Sequence, residues 1–526
     1  MSDEIELKLA MAPRDLKRLA RNGLVRSLKT AHARRKQLDS TYYDTPDLTL
    51  MRHGMALRVR QDGGERVQTL KAPPNGEGRP NGLVNANGLQ HLREFEAPLN
   101  GTAPDLALIE DEGLQAFFRR ENLAHELESV FTTEFERQVI PLAMADSEIE
   151  LALDQGRIVS GGEGVDLCEA ELELRNGHPS RLYELAMLLH RQVPFRLERH
   201  SKAARGYGLY TAARPKPRKA EKPLLKSGMT VAQAFQAQAR ACLLHMRANE
   251  DAVLDGGDPE GVHQMRVAIR RLRALVTAFR PVFAAQAYTM LRDELRWMQG
   301  NLGPARDWDV FLADTLAPLR ERLPAEDSLE HLQAAAEDAR GKAYEVARTA
   351  IGSDRYTGLL LYLELCLDSG SWRLPPVSGE ADPADRPVEE FACAILEKRA
   401  RKVGKLGKRY RKLNEAELHE LRIAGKKLRY AGEFFASLFP KKTMKTYLKS
   451  VEGIQERLGI VNDAATGQRL LDELERRLLD AGDADAATIA YGKGLVHGWH
   501  EAQVQRELSA FETTWDVFSK AKKPWK

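Results

Sequence analysis

The chain has 526 residues, 43% hydrophobic and 29% charged. At about 150 residues per domain this predicts three or four globular units and excludes wholesale disorder. Four scattered cysteines (Cys168, Cys242, Cys366, Cys393) and no CxxC pair exclude a zinc ribbon and a disulfide scaffold. The net charge of +3 averages 79 basic and 76 acidic residues that are sorted along the chain. Short acidic clusters at alternating spacing come first, and dense Lys/Arg clusters such as Lys398–Lys412 follow.

The start, Met1-Ser2-Asp3-Glu4, has no basic segment leading into an apolar run, so no secretory leader is expected. Glu4-Ile-Glu-Leu-Lys-Leu9 then alternates charged and apolar residues, the period of a strand. The same period recurs at Ala56–Arg60, Glu148–Asp154 and Cys168–Leu174, and Asp154-Gln-Gly156 reads as a hairpin turn. Helical stretches lie between, at Asp15–Leu24, Gly113–Glu121 and Ser180–Leu189. The basic, proline-rich segment Arg214–Pro223 reads as an exposed linker. Beyond it, Ala/Leu/Arg/Glu-rich segments of 3.6-residue period predict an all-α half, interrupted between Asp368 and Pro387. The apolar run Leu359–Leu367 is short and broken by Glu364, so no membrane-spanning helix is expected.

The helical half repeats itself. His263-Gln-Met-Arg-Val-Ala-Ile-Arg-Arg-Leu-Arg273 resembles His419-Glu-Leu-Arg-Ile-Ala-Gly-Lys-Lys-Leu-Arg429, an offset of 156 that also carries Gln299 to Gln455, Leu302 to Leu458 and Asp307 to Asp463. The expected domains are residues 1–212, a linker at 213–224, and 225–526, the last split into copies at about 225–367 and 388–526.

In a strand, alternate side chains share a face. Glu4, Glu6 and Lys8 therefore lie opposite Ile5, Leu7 and Leu9. Arg58 and Arg60 lie opposite Leu57 and Val59, and Glu169, Glu171 and Glu173 lie opposite Ala170, Leu172 and Leu174. A solvated sheet face would explain any one strand, but here the charges are sorted by sign. Acids gather at Glu4/Glu6 and Glu169/Glu171/Glu173, with Asp154 nearby in sequence; cations gather at Arg58/Arg60, with Lys71 and Arg137 as further candidates. If these charges faced into a closed barrel, neither kind could be buried alone, at several kcal/mol per ion. An interior holding both suits a divalent metal and a polyanion. Oxygen ligands without a His/Cys cluster favour Mg²⁺ or Mn²⁺ over zinc.

Glu4-x-Glu6-x-Lys8 resembles the ExExK signature of the CYTH superfamily, the triphosphate tunnel metalloenzymes. The order of further strings supports the resemblance: Tyr42-Tyr-Asp-Thr-Pro46, Ala56-Leu-Arg-Val-Arg60, Gln68-Thr-Leu-Lys71, Arg93-Glu-Phe-Glu96, Arg137, Asp154-Gln-Gly156, Glu169-x-Glu-x-Glu173 and Ser201-Lys-Ala-Ala-Arg-Gly-Tyr207. The resemblance is closest to bacterial inorganic triphosphatases. It implies an α+β domain whose eight-stranded antiparallel β-barrel forms a tunnel flanked by helices, with two divalent metal sites. Lys8, Arg58, Arg60, Lys71, Arg137 and Lys202 look like the cations that hold the phosphate chain. Glu169, Glu171 and Glu173 look like ligands of one metal, Glu4 and Glu6 of a second, and Asp154 is a further ligand. Glu4, Glu6 and Lys8 are the catalytic candidates, Glu6 as general base, while Arg205 is a weaker candidate for phosphate contact. Asp44 and Tyr43 read more simply as residues that hold the turn before Pro46.

In the helical half, His263, Arg266, Arg270 and Arg273 step by 3, 4 and 3 and so form one helical stripe. His419, Arg422, Lys426 and Arg429 form another. Like charges at this spacing repel, and two such stripes suggest an anionic ligand. With Leu302-Gly-x-x-Arg-Asp307 and its second copy Leu458–Asp463, they resemble the CHAD domain, which often follows CYTH. That resemblance implies an all-α domain of two pseudo-repeated four-helix bundles that binds inorganic polyphosphate through these eight residues. Copy two departs at Gly425 and at Ile460-Val-Asn462, where copy one has Ile269 and Pro304-Ala-Arg306. Asp307 and Asp463 read as helix caps or arginine partners, and Gln299 and Gln455 either touch phosphate or seal the bundle. No RNP, KH or zinc-finger pattern appears, so no specific nucleic acid partner is expected.

The combined expectation is a cytoplasmic, metal-dependent hydrolase that cleaves inorganic triphosphate to pyrophosphate and phosphate, with a helical module that binds polyphosphate and associates with polyphosphate granules. The alternatives are a polyphosphate-binding scaffold of weak catalysis, or a nucleoside or thiamine triphosphatase or adenylate cyclase on the same barrel.

Overall fold

The computed structural model describes residues 5–62, 64–73, 89–90, 93–376, 381–482 and 485–526. The chain forms two compact units, one of residues 1–214 with 352–370, the other of residues 215–351 with 371–526.

The first unit is built on one antiparallel sheet. Its strands are β1 Ile5–Ala10, β2 Arg34–Asp44, β3 Ala56–Asp62, β4 Glu65–Ala72, β5 Leu89–Gln90, β6 Arg93–Pro98, β7 Glu128–Met144, β8 Ser147–Ser160, β9 Glu163–Asn176 and β10 Arg196–Glu198. The order is β10-β1-β9-β8-β7-β2-β3-β4-β6, with β5 also on β1. Among the described residues the strands number ten rather than the expected eight, because the short β5 and β10 both pair with β1. The sheet is not closed among the described residues, so the expected barrel is not seen there. Only two residues of sequence separate β5, which pairs with β1, from β6, which pairs with β4.

The turn expected at Asp154-Gln-Gly156 is instead the middle of β8, paired with Arg137, Glu136 and Phe135 of β7. Gly156 is there for close approach: a Cβ would overlap the Glu134 carbonyl and the Phe135 backbone. The reversal comes later, at Gly161 (φ 58°) and Gly162 (φ 88°), between the paired residues Ser160 and Glu163. Two consecutive positive φ values suit a tight two-residue hairpin, and glycine adopts them without steric cost.

Among the described residues up to 214, the helices that accompany the sheet are α1 Pro13–Ala20, α2 Gly23–Leu28, α3 Thr49–Arg52, α4 Glu112–Arg120, α5 Ser180–His190 and α6 Lys202–Thr211. The apolar sides of β1 and β9, with Leu7, Leu9, Ala170 and Leu172 fully buried, lie under α5. The other face is divided. Leu38, Tyr42, Phe131, Phe135, Ile158 and Leu167 form an apolar cluster with Tyr207 of α6, and the charged positions of β1, β7, β8 and β9 continue from it.

The second unit contains α7 Val231–Arg247, α8 Glu250–Asp255, α9 Pro259–Ala278, α10 Ala285–Val310, α11 Ala317–Arg322 and α12 Asp327–Ile351. After α13 (Asp354–Ser369) it resumes with α14 Val388–Gly407, α15 Glu415–Phe434, α16 Lys441–Ala481 and α17 Ala486–Lys520. The 156-residue shift carries α9 onto α15 end for end and the start of α10 onto the start of α16. Residues 213–226 form neither helix nor strand. No described helix is long and apolar enough to cross a membrane.

α13 lies within the stretch assigned from sequence to copy one, yet it folds with the first unit, against α5. Leu182, Leu185 and Leu189 of α5 and Leu361 and Leu367 of α13 are all 1% exposed or less. Leu361→Ala is therefore expected to destabilise the first unit by about 2–5 kcal/mol, the range for a buried leucine truncation. All six tryptophans lie in the second unit, so tryptophan fluorescence reports that unit alone. Hydrogen exchange in β8 and β9 should rise in the variant while the fluorescence unfolding midpoint moves little; the reverse pattern would detach α13 from the first unit.

Candidate functional site

Strand alternation places Glu6 and Lys8 of β1, Arg137 of β7, Asp154 of β8 and Glu169 and Glu171 of β9 on the inward face. Lys202 enters from the first turn of α6, where Ser201 caps the helix by accepting from the Ala204 amide. The charged face is not solvated: Asp154 and Glu169 are 0% exposed, and Glu6, Lys8, Glu171 and Lys202 are 7% or less. The groups compensate one another. The Lys202 ammonium lies 2.7 Å from Asp154, 2.5 Å from Glu169 and 2.8 Å from Glu171. Arg137 donates to both Asp154 oxygens, at 2.7 and 2.6 Å, and also pairs with Glu171. Lys8 pairs with Glu171 and, at 2.8 Å, with Glu6. Arg205, one turn beyond Lys202, reaches Glu169 at 2.9 Å.

These partners set the protonation states. Burial opposes the charge on Glu171, but Lys202, Lys8 and Arg137 outweigh it and hold the carboxyl well below its ordinary range. Burial likewise opposes the Lys8 charge, and Glu171, Glu6 and Glu169 raise its ammonium well above the ordinary value.

Asp154, Glu169 and Glu171 each offer a carboxylate oxygen, all within 4.8 Å of one another. Buried, all-oxygen and convergent, this set fits a hard divalent cation. Glu173 is on the same face but lies outside this group and bridges to Arg175 at 2.6 Å. Glu4 lies outside the described residues.

The other end of the face is rich in cations. Arg58 and Arg60 of β3 face Tyr42 and Ser40 of β2 in register. Burial, Arg58 and Arg137 together pull the Arg60 guanidinium down to about 10. Burial would push the Tyr42 phenol up, but Arg58 and Arg60 bring it below its ordinary value. The Nε atoms of Arg58 and Arg60 are buried without a hydrogen-bond partner. Lys71 and Arg58 each lie 3.5 Å from Glu94 of β6. Burial opposes the Arg58 charge, but Tyr42, Glu94 and Glu96 outweigh it and raise the guanidinium above its ordinary value; Arg60 is left under-compensated, and a buried cation in that state favours an anion.

Sequence reasoning missed the part of Tyr42 and Glu94, although both stood inside quoted strings; their register against Arg58 and Lys71 was the signal, visible only once the strands are paired. Asp44 accepts from the Thr45, Leu50 and Met51 amides and from the Tyr207 hydroxyl, so it fastens α3 and α6 to β2. Tyr43 donates to the Thr102 carbonyl.

In the helical unit, the stripes of α9 and α15 meet. Arg270 acts electrostatically on both Arg422 and Lys426. Arg266 lies 3.7 Å from Asp307, which also lies 3.3 Å from Arg469; Asp307 is thus an arginine partner inside α10 rather than a cap. Burial, with Arg270 and Arg306 opposing Asp307, lowers Arg266 to about 10. The two histidines differ. Burial and Arg306 lower His263, whereas His419 meets the Asn462 side chain at 3.0 Å, the residue that stands in place of Arg306. Arg273 pairs with Gln299, and Arg429 lies 3.5 Å from Glu433 and 3.6 Å from Glu452. Gln455 donates to the Gly425 carbonyl at 2.9 Å.

Residues 2–207 match the CYTH domain family and residues 237–472 match the CHAD domain family. The chain therefore carries a CYTH domain followed by a CHAD domain. An inorganic triphosphatase of Haemophilus influenzae is 33% identical over 209 residues, covering 39% of this chain and 55% of that protein; the chain spans about half the length of that relative. Uncharacterised proteins of two Mycobacterium tuberculosis strains are 26% identical over 516 residues, covering 89% of this chain and 88% of each of theirs. The solved CHAD domain of Ricinus communis is 30% identical and covers 59% of this chain and 98% of its own, with a TM-score of 0.48.

Lys202→Gln would leave the Asp154–Glu169–Glu171 group short of one cation. Breaking a buried ion network in this way costs about 3–5 kcal/mol. The variant is expected to unfold at lower temperature than the parent and to recover more of its melting temperature on addition of Mg²⁺. Absence of any Mg²⁺ shift in both parent and variant would show that the carboxylate group takes no metal.

Proposed function

We propose that the chain is a divalent-metal-dependent hydrolase that cleaves inorganic triphosphate to pyrophosphate and phosphate, and that its helical unit binds inorganic polyphosphate. The observation that carries the first part is the sorting of buried charge on one sheet face. A convergent carboxylate group stands beside the cation pair Arg58 and Arg60, of which Arg60 is under-compensated. The likeness to an inorganic triphosphatase over 209 residues supports it. The short step in sequence from β5 on β1 to β6 on β4 supports closure of the sheet into a tunnel.

In this reading Asp154, Glu169 and Glu171, with Glu173, would hold one Mg²⁺ or Mn²⁺, and Glu4 and Glu6 a second. The bound metal supplies charge neutralisation at phosphate oxygens and lowers the pKa of water. The chain's own residues do the rest. Arg58, Arg60, Lys71, Arg137, Lys8 and Lys202 bind and align the phosphate chain and stabilise the charge that develops as the terminal phosphoryl group moves. Glu6 accepts the proton of the attacking water. The apolar cluster under α6 keeps water from one side of the face.

In the helical unit the α9 and α15 stripes, His263, Arg266, Arg270, Arg273 and His419, Arg422, Lys426, Arg429, offer a polyanion a shared cationic surface. We place the triphosphate domain at residues 1–212, joined by α13, the linker at 213–224 and the helical domain at 225–526. The expected location is the cytoplasm, in association with polyphosphate granules.

Phosphate release should be measured from inorganic triphosphate, ATP, thiamine triphosphate and long polyphosphate, each with and without Mg²⁺ or Mn²⁺. Inorganic triphosphate is expected to be preferred, with turnover lost on chelation. Glu6→Gln should lower kcat by about a hundredfold or more, the usual worth of a general base. Arg58→Ala should raise KM and lower kcat together, because it meets phosphate in both the ground and the transition state. Preference for an organic triphosphate would favour the alternative enzyme, and no turnover on any substrate would favour the scaffold.

A further inference from the structure

The two basic stripes of the helical unit differ at one position. Where copy one has Arg270, copy two has Lys426. Arginine keeps its charge at any ordinary pH, whereas a lysine crowded by cations sheds its proton readily. The packing sets this lysine where crowding is greatest. α9 and α15 are held together by Arg271 and Glu433 at 2.6 Å. Lys426 there faces Arg422 and Arg429 from its own helix, Arg270 from α9 and, as counter-charge, Asp463 from α16. On α14 the cations Arg399 and Lys402 face the neighbouring Lys427. Arg429 is met by Glu433 at 3.5 Å and Glu452 at 3.6 Å, but the Nε atoms of Arg270 and Arg422 are buried without a hydrogen-bond partner, so the Arg270–Arg422 side of the cluster around Lys426 is under-compensated as it stands.

We propose that the helical unit binds polyphosphate with uptake of a proton at Lys426, so that acid strengthens and alkali weakens its hold on the polymer. The proposal rests on the polyphosphate reading of the same unit. Burial first, then Arg422 and Arg270, bring the empty site's ammonium down to about 7, against the pull of Asp463. A bound polyanion reverses the sign of the local field and raises that value again. By linkage, affinity is full below about pH 7 and falls as pH rises through it, by at most tenfold per pH unit, until the bound-state value is passed. Burial and Arg306 hold His263 below its ordinary value, and any proton it takes up with the polymer is common to the parent and Lys426→Arg. The terminal phosphates of the polymer also titrate near neutrality, with a second pKa of about 6; comparison with Lys426→Arg subtracts them.

The test is isothermal titration of long-chain inorganic polyphosphate into the full chain at pH 8, in two buffers of different ionisation enthalpy, with affinities followed from pH 6 to pH 9. The parent is expected to take up close to one proton per site and to bind roughly tenfold more weakly for each pH unit above 7. Lys426→Arg, which restores the residue of copy one, should take up no such proton and bind with nearly constant affinity above pH 7. Tight parent binding with a flat profile would overturn the proton coupling and leave the polyphosphate reading standing. A Lys426→Arg profile as steep as the parent's would assign the proton elsewhere and equally overturn it. Absence of binding at pH 6 and low salt would overturn the polyphosphate reading itself, and the coupling with it.

Discussion

The first unit depends on the mutual neutralisation of charges that its strands bury. Glu6, Asp154, Glu169 and Glu171 supply four negative charges, and Lys8, Arg137, Lys202 and Arg205 supply four positive ones. An isolated ion in that position would cost several kcal/mol. The sheet and α6 must therefore bring all eight together before any one of them is tolerable. This explains several features that look unrelated. β7, β8 and β9 run 14 residues or more, long enough to carry both an apolar end and a charged end on one face. Gly156 lets β7 and β8 approach beside the charges. Asp44 and Tyr207 tie α6, and with it Lys202 and Arg205, to β2. Where the compensation thins out, at Arg60, the unit is prepared for negative charge from outside.

The helical unit meets the same constraint differently. Its cations come from two copies of one segment, and the copies meet along α9 and α15. Glu433 meets Arg271 and Arg429 there, but Asp307 and Asp463 do not outweigh burial at Arg266 and Lys426, whose affinity for their protons is lowered. Small departures between the copies then have electrostatic weight. Arg306 beside His263 and Asn462 beside His419 make two equivalent histidines unequal.

Much of this was legible in the sequence because it follows from periodicity. Alternation along β1, β3 and β9 sorted the charges by face, and the 156-residue offset located the paired helices. What could not be read depends on which elements meet. The turn at Asp154–Gly156 was misplaced because a glycine required for close approach looks, in sequence, like a glycine required for a turn. The pairing of Glu94 with Arg58 and Lys71 needs the β3-β4-β6 order. The place of α13 was hidden because helical periodicity tells which face is apolar but not which unit covers it.

The same logic separates residues that compensate charge from residues that wait for it. Arg137 and Lys202 are occupied by carboxylates at 2.5–2.8 Å, whereas Arg60 and Lys426 have values lowered by burial and by other cations. A cation whose neighbours raise its pKa is already satisfied, and an arriving anion must compete with protein carboxylates for it. A cation whose neighbours lower its pKa gains from any anion that arrives. On that criterion Arg60 in the sheet unit and Arg266 and Lys426 in the helical unit are the positions where negative charge is most wanted. On the proposed function, Lys8, Arg137 and Lys202 would become available to a phosphate chain only as their carboxylates are taken up by another cation. A triphosphate site built this way would couple occupancy of the carboxylates to release of the cations, which makes metal and phosphate binding mutually reinforcing in the sheet unit. No such requirement attaches to Arg266 and Lys426 of the helical unit, whose charges are under-compensated from the start.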